Sequence, residues 1–165
     1  MKHLKKENLC AALSLLAKDR TLYVPGLVRG MKQFKRWEGE MPELGGENTA
    51  LPPKDILFPK TEKMYRFRTG AETEIEELTE APKQAIFGLR PCDVRSLECM
   101  DSVFLREGYR DSFYARRREA CLLLAVACPG ASDTCFCEAM GVDPNRADTA
   151  DIFLTDGGEF YSVGA

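Results

Sequence analysis

The clearest pattern of hydrophobic and polar positions lies between residues 84 and 127, where it predicts strand, helix, strand. Residues 84–89 form a short apolar run, and residues 121–127 are continuously apolar, as expected of strands covered on both faces. Between them a helical stripe recurs every three to four residues, at Val94, Leu97, Met100 and Phe104, with Asp93 predicted as its N-cap. Such a unit predicts a right-handed βαβ crossover and an α/β fold with a mixed sheet.

The flanking segments predict further helices and hairpins. Leu9, Leu13 and Leu16 share one stripe, which predicts an amphipathic helix over residues 4–18. Residues 113–119 are predicted as another helix. Alternating runs predict a hairpin over 27–37 and a second one over 151–163, around Asp-Gly-Gly. Residues 63–68 alternate as well, which predicts a strand with one buried face.

Residues 38–60 interrupt this order. The segment is rich in proline and glycine and has few adjacent large apolar residues, so it is predicted to be a long irregular excursion. No repeat divides the chain, and its 165 residues suit one domain with one core. We therefore expect residues 1–165 to form a single domain. Because the chain ends directly after a predicted strand, it is expected to be the front part of a larger protein.

Composition and charge exclude several classes of function. The formal net charge is −3, which gives no basic footprint for nucleic acid. No apolar segment is long enough to cross a membrane, and the charged N-terminus is unlike a signal peptide, so a cytoplasmic location without membrane insertion is expected. The single histidine, His3, lies near the chain end, which leaves no support for catalysis by a core histidine. No phosphate-binding glycine motif follows a strand.

Cysteines carry the candidate chemistry. The cytoplasm keeps thiols reduced and seven is an odd number, so the seven cysteines are not a disulfide framework. Cys92 and Cys128 follow the two predicted parallel strands, whose ends should lie side by side. Cys135 and Cys137 come seven and nine residues after Cys128, on a loop that can fold back to the same point. Four thiolates at one point are the ligand set of an iron–sulfur cluster or a structural zinc ion.

Spacing alone leaves the alternatives open. Buried cysteines often serve as small hydrophobic residues, and we assign that role to Cys10, Cys99 and Cys121, with Cys99 as the substitute if one ligand is misassigned. Structural zinc prefers cysteine pairs separated by two to four residues, which this chain lacks, so the spacing mildly favours a cluster. A redox-active thiol enzyme is disfavoured because there is no Cys-x-x-Cys motif.

Residues 87–93, Phe-Gly-Leu-Arg-Pro-Cys-Asp, resemble the Phe-Gly-x-Arg-Pro-Cys-Asp signature of a family of electron-transfer subunits. The family comprises β subunits of nickel–iron (sulf)hydrogenases and the corresponding subunits of anaerobic sulfite reductases. The resemblance continues through most of the chain, at residues 57–59, 65–67, 113–117, 134–137 and 154–158. One departure is Ser132-Asp133, where the family usually has Gly-Pro before Thr-Cys-Phe-Cys.

The resemblance implies an electron-transfer domain without catalytic residues of its own. It would hold one [4Fe–4S] cluster through Cys92, Cys128, Cys135 and Cys137 and relay electrons between a flavin- and NAD(P)H-binding subunit and a catalytic subunit. The family's C-terminal ferredoxin-like domain is absent here, so the chain resembles the N-terminal domain of such a subunit. An isolated fragment of this kind can lose its cluster in air.

The alternative is a cluster-free or zinc-stabilised assembly module. Such a module would dock partner subunits through residues 38–59 and the run Arg116-Arg117-Arg118, whose ordinary interpretation is a solvated helix face.

Overall fold

A computed structural model describes residues 2–70, 72–78 and 81–164 of the chain. The elements follow one another as β1 (Lys2–Lys5), a 3₁₀ turn (Lys6–Asn8), α1 (Leu9–Leu16), β2 (Thr21–Val28), β3 (Met31–Arg36), α2 (Lys54–Leu57), β4 (Tyr65–Arg68), β5 (Glu74–Glu77), β6 (Gln84–Leu89), α3 (Pro91–Phe104), α4 (Ser112–Glu119), β7 (Cys121–Val126), β8 (Ile152–Asp156) and β9 (Phe160–Gly164). The prediction of an α/β fold is confirmed. The predicted single domain includes residues 1, 71, 79, 80 and 165, which lie outside the described residues.

Seven strands form one mixed sheet in the order β1-β9-β8-β7-β6-β2-β3. The four central strands, β2, β6, β7 and β8, are parallel, and an antiparallel hairpin arm lies at each side. The predicted βαβ unit is confirmed, with both α3 and α4 in the crossover between β6 and β7. Both predicted hairpins are present, but the first strand of the first hairpin begins at Thr21 rather than at residue 27, and β2 and β3 join at Arg29-Gly30.

Two apolar layers cover the sheet because its central strands point alternate side chains to opposite faces. On one face Leu9 and Leu13 of α1 pack with Phe87 of β6. On the other face Leu97 of α3 and Tyr114 of α4 pack around Ile86. Every residue of β6 is buried, as expected of a parallel strand with cover on both sides.

The N-terminal prediction is partly wrong. The helix begins at Leu9 rather than at residue 4, because Lys2–Lys5 pairs with β9 as an edge strand, with Leu4 opposite Tyr161. The residues of the predicted apolar stripe all lie within α1, so the stripe predicted the helix, but the predicted bounds of 4–18 were too wide at both ends.

The hairpin of β4 and β5 forms a separate two-stranded sheet, and its residues are exposed on both faces. The predicted buried face is therefore wrong: Phe67 and its cross-strand partner Ile75 are each 69% exposed. Alternation sorts apolar from charged residues, but it does not establish that another element covers the apolar face.

The arginine run is also not a solvated face. Arg117 is buried, and its Nε donates to the Leu57 carbonyl at 2.7 Å while its guanidinium contacts Glu62. Arg118 donates to Asp101 at 3.1 Å. These arginines link α4 to α3 and to the end of the 38–60 segment.

The 38–60 segment is irregular as predicted, except for α2 and one bridge between Gln33 and Leu51. No helix of the described residues is long and apolar enough to cross a membrane.

Candidate thiol site at the carboxyl ends of the parallel strands

The thiol site begins where β6 and β7 end side by side, with Leu89 opposite Ala125. Arg90 follows β6 directly, Cys92 comes two residues after Arg90, and Cys128 follows β7 after one intervening residue. Parallel α/β sheets build sites at this edge because the carboxyl ends of neighbouring strands meet there. The predicted proximity of these two chain segments is thus present in the fold.

Cys92 occupies the first turn of α3, which starts earlier than the sequence indicated. Pro91 supplies the first helical position, where its missing N–H costs nothing. Arg90 is therefore the N-cap, and the prediction of Asp93 as N-cap is wrong. Asp93 lies three residues further on, and its carboxylate accepts a hydrogen bond from the Arg90 backbone N–H at 3.0 Å.

A returning loop carries Cys135 and Cys137. The Cys128 N–H donates to the Pro144 carbonyl at 2.9 Å, which closes the loop at its base. A tight turn follows Cys137, whose carbonyl accepts from the N–H groups of Met140 and Val142 at 3.1 and 2.9 Å. The loop thereby returns to the strand ends, as its length predicted.

Three of the four predicted ligands line one cleft of about 430 Å³, namely Cys92, Cys135 and Cys137. This volume lies in the range of small-molecule and cofactor sites. Cys99, two turns further along α3 than Cys92, lines the same cleft and is exposed. Phe136 forms part of the wall and is 68% exposed.

Cys128 lies on the wall of a neighbouring cleft of about 540 Å³ rather than on that of the first. Its Sγ donates to the Gly130 carbonyl at 3.2 Å and accepts from Arg90 Nη1 at 3.8 Å. The Cys128 sulfur is nevertheless near enough to Cys92 to affect its ionisation. The four thiols therefore converge on one region, with Cys128 set apart from the other three.

Arg90 is a buried cation beside Cys128, and only 6% of it is exposed. Its Nη2 donates to the carbonyls of Gly46 and Glu47 at 2.6 and 2.9 Å. Lys32 Nζ donates to the carbonyls of Gly45 and Glu47 at 2.6 and 3.0 Å. The two cations thus draw the 38–60 segment against the strand ends.

The environment shifts the ionisation of the thiols in opposite directions. Burial, the negative charge of Asp93, and the Cys137 and Cys128 sulfurs raise the pKa of Cys92 to about 11. Hydrogen bonds from the side chain and backbone of Ser132, with Arg90 nearby, lower the pKa of Cys135. Burial also raises the pKa of the Asp93 carboxyl.

Among residues 2–70, 72–78 and 81–164, no three histidine, cysteine or acidic side chains are gathered closely enough to hold a metal ion. The thiols of Cys92, Cys135 and Cys137 are instead spread around the wall of one cleft. A cluster with several iron atoms spans more space than a single ion, and the cleft presents cysteine sulfurs to it with the buried cation of Arg90 in the same region. The donor set fits an iron–sulfur cluster in kind. Cys10 and Cys121 lie on α1 and β7, outside this cleft.

Sequence reasoning missed the contribution of the 38–60 segment. Asn48 Nδ2 donates to Cys92 Sγ at 3.7 Å, and Asn48 lines the cleft. The length and irregularity of the segment were the available signal, because long loops are often functional. Which of its residues would point inward could not be read from composition.

The fold and site together define an α/β domain with a thiol cluster at the carboxyl edge of its parallel strands. No family model matches the chain, and no solved structure matches it. The chain is similar to sulfhydrogenase 2 subunit beta of Pyrococcus furiosus, with 30% identity over 106 residues. The match covers 64% of this chain and 30% of that relative, so the chain spans about a third of the relative's length.

Proposed function

We propose that this chain is an electron-transfer domain of a multisubunit oxidoreductase of the hydrogenase or sulfite reductase type. In this proposal Cys92, Cys128, Cys135 and Cys137 ligate one [4Fe–4S] cluster, and the domain is a non-catalytic component. The observation that carries the proposal is the convergence of these thiols beside the buried guanidinium of Arg90. The similarity to a sulfhydrogenase β subunit supports the same class of function.

Arg90, Cys135 and Cys92 would each contribute to cluster binding in a different way. The cluster, when bound, supplies reversible one-electron chemistry. The positive charge of Arg90 offsets the negative charge of the thiolates. Cys135 is prepared to bind metal because the Ser132 hydrogen bonds favour its thiolate and lower its pKa. The raised pKa of Cys92 means that its proton must leave when metal binds.

The partners proposed for this chain are a flavin- and NAD(P)H-binding subunit and a catalytic subunit. The relative's name describes one subunit of a larger enzyme, and this chain matches only part of that subunit. We propose that the chain is the N-terminal domain of a longer subunit that works in the cytoplasm. Its seven cysteines are all free thiols.

The test is anaerobic reconstitution followed by iron and sulfide analysis and electron paramagnetic resonance. We expect about four irons and four sulfides for each chain, as a [4Fe–4S] cluster requires, and a paramagnetic signal after reduction. Cys92→Ala should lose this content. Cys10→Ala is the matched control, because Cys10 lies on α1 away from the cleft, and it should retain the content. A Cys92→Ala protein with full cluster content contradicts the assignment.

A docking module without a cluster, or with a structural zinc ion, is the second candidate. The exposed apolar face of the β4–β5 hairpin favours it, because isolated two-stranded sheets are marginal in water and gain from cover. The arginine run supports it less, since Arg117 and Arg118 already have partners within the chain. Stoichiometric zinc in a colourless protein, with no iron bound on reconstitution, would favour this candidate.

A further inference from the structure

One polar side chain of the 38–60 segment is directed at a thiol that the proposed function uses. Asn48 Nδ2 donates to Cys92 Sγ at 3.7 Å, a distance suited to sulfur because sulfur is a larger acceptor than oxygen. The other end of the amide is fixed as well, since Asn48 Oδ1 accepts from the Thr49 N–H at 2.9 Å. This second contact determines which amide atom faces the sulfur.

The backbone before Asn48 is held in place by two cations. Arg90 contacts the carbonyls of Gly46 and Glu47, and Lys32 contacts those of Gly45 and Glu47. Hydrogen bonds from charged donors are stronger than neutral ones, so this anchoring is firm for an irregular segment. The Asn48 amide is thus positioned by contacts that do not involve Cys92 itself.

We infer that Asn48 is a positioning residue that orients the Cys92 sulfur and withdraws electron density from it. The inference rests on the proposed function for its redox consequence. A hydrogen-bond donor to a ligand sulfur stabilises the more negative, reduced state of a cluster and so raises its reduction potential. The irregular segment is then a working part of the site, in addition to any docking role.

The first test compares two variants at neighbouring positions in the reconstituted protein. Asn48→Leu keeps the size of the side chain and removes the N–H donor. Thr49→Val is the matched control, because Thr49 Oγ1 is buried without a hydrogen-bond partner among the described residues. We expect the midpoint potential to fall in Asn48→Leu and to stay unchanged in Thr49→Val. Equal potentials in the two variants would overturn the inference.

The second test uses the metal-free protein, so its outcome is independent of the proposed function. We expect the Asn48 side-chain amide protons to exchange with solvent slowly in nuclear magnetic resonance experiments. Cys92→Ala should accelerate this exchange about two- to fivefold, in keeping with the loss of one hydrogen bond, whereas Cys99→Ala should not. Equal exchange in the wild-type and Cys92→Ala proteins overturns the inference. Failure to bind iron with slowed exchange intact contradicts only the proposed function.

Discussion

The side chain of Arg90 connects the ends of two neighbouring parallel strands, because its Nη1 donates to the Sγ of Cys128 at 3.8 Å. Arg90 itself directly follows β6, and Cys128 follows β7. The same guanidinium reaches across to the carbonyls of Gly46 and Glu47. One buried cation therefore joins the sheet edge, a candidate ligand and the irregular segment.

Arg90→Ala should destabilise the fold by about 2–4 kcal/mol, because it removes two hydrogen bonds from a charged, buried donor to the carbonyls of Gly46 and Glu47. Arg90→Lys keeps the charge but lacks the forked donor set, so its loss should be intermediate. Urea unfolding measures both. Arg95→Ala is the control, since Arg95 is exposed and solvent screens its pair with Glu98, so little change in stability is expected. Equal losses at the two arginines would contradict the role assigned to Arg90.

Gly88 lies in β6, two residues before Arg90, where side chains other than hydrogen do not fit. Its φ is +85°, and an added Cβ would meet Pro25 and Leu44 at 2.8 to 2.9 Å. Gly88→Ala should cost about 2–5 kcal/mol, the sum of left-handed strain and overpacking. Gly158→Ala measures the left-handed strain alone, since its φ is +89° and no atom lies within 4 Å of an added Cβ. It should cost about 1–2 kcal/mol. Thermal unfolding of the two variants gives the difference, and equal costs would show that the packing contact is unimportant.

Arg117 fastens the end of the 38–60 segment to α4 through the Leu57 carbonyl and Glu62. Arg117→Met should lower the free energy of unfolding by about 1–3 kcal/mol, because it removes the donor of a buried carbonyl. Arg110→Met, which breaks the exposed pair with Glu119, should change it by about 0–1 kcal/mol. Chemical denaturation compares the two. A loss at Arg117 no larger than the loss at Arg110 would contradict the buried role assigned to Arg117.

The central βαβ unit and both hairpins could be predicted because their signals are local. A continuous apolar run, a stripe every three to four residues and an Asp-Gly-Gly turn each follow from a few neighbouring residues. The strand Lys2–Lys5 could not, because its pairing with β9 joins opposite ends of the chain. The exposure of Phe67 could not be predicted either, because whether another element covers a strand depends on residues far away in the chain.

The candidate site could be predicted only where it follows from the topology of the sheet. Cys92 and Cys128 were placed together because parallel strand ends meet, which is a rule of topology. The contact of Asn48 with Cys92 spans 44 residues and depends on the path of an irregular segment. Arg117 illustrates the same limit, because its position in a charged run suggested solvent while its long side chain reaches back to residue 57.

Two cysteines compete for the place of the fourth ligand, and a pair of variants decides between them. Cys99 lines the cleft with Cys92, Cys135 and Cys137, whereas Cys128 lies on the neighbouring wall. We expect Cys128→Ala to lose most of the iron and sulfide and Cys99→Ala to retain them. The reason is that the Cys128 sulfur contributes to the raised pKa of Cys92, while Cys99 lies about 10 Å further along the helix axis. Iron content and the paramagnetic signal of the reduced protein provide the measurement. The reverse result would replace Cys128 by Cys99 in the ligand set and would leave Arg90 bound to a thiol outside it.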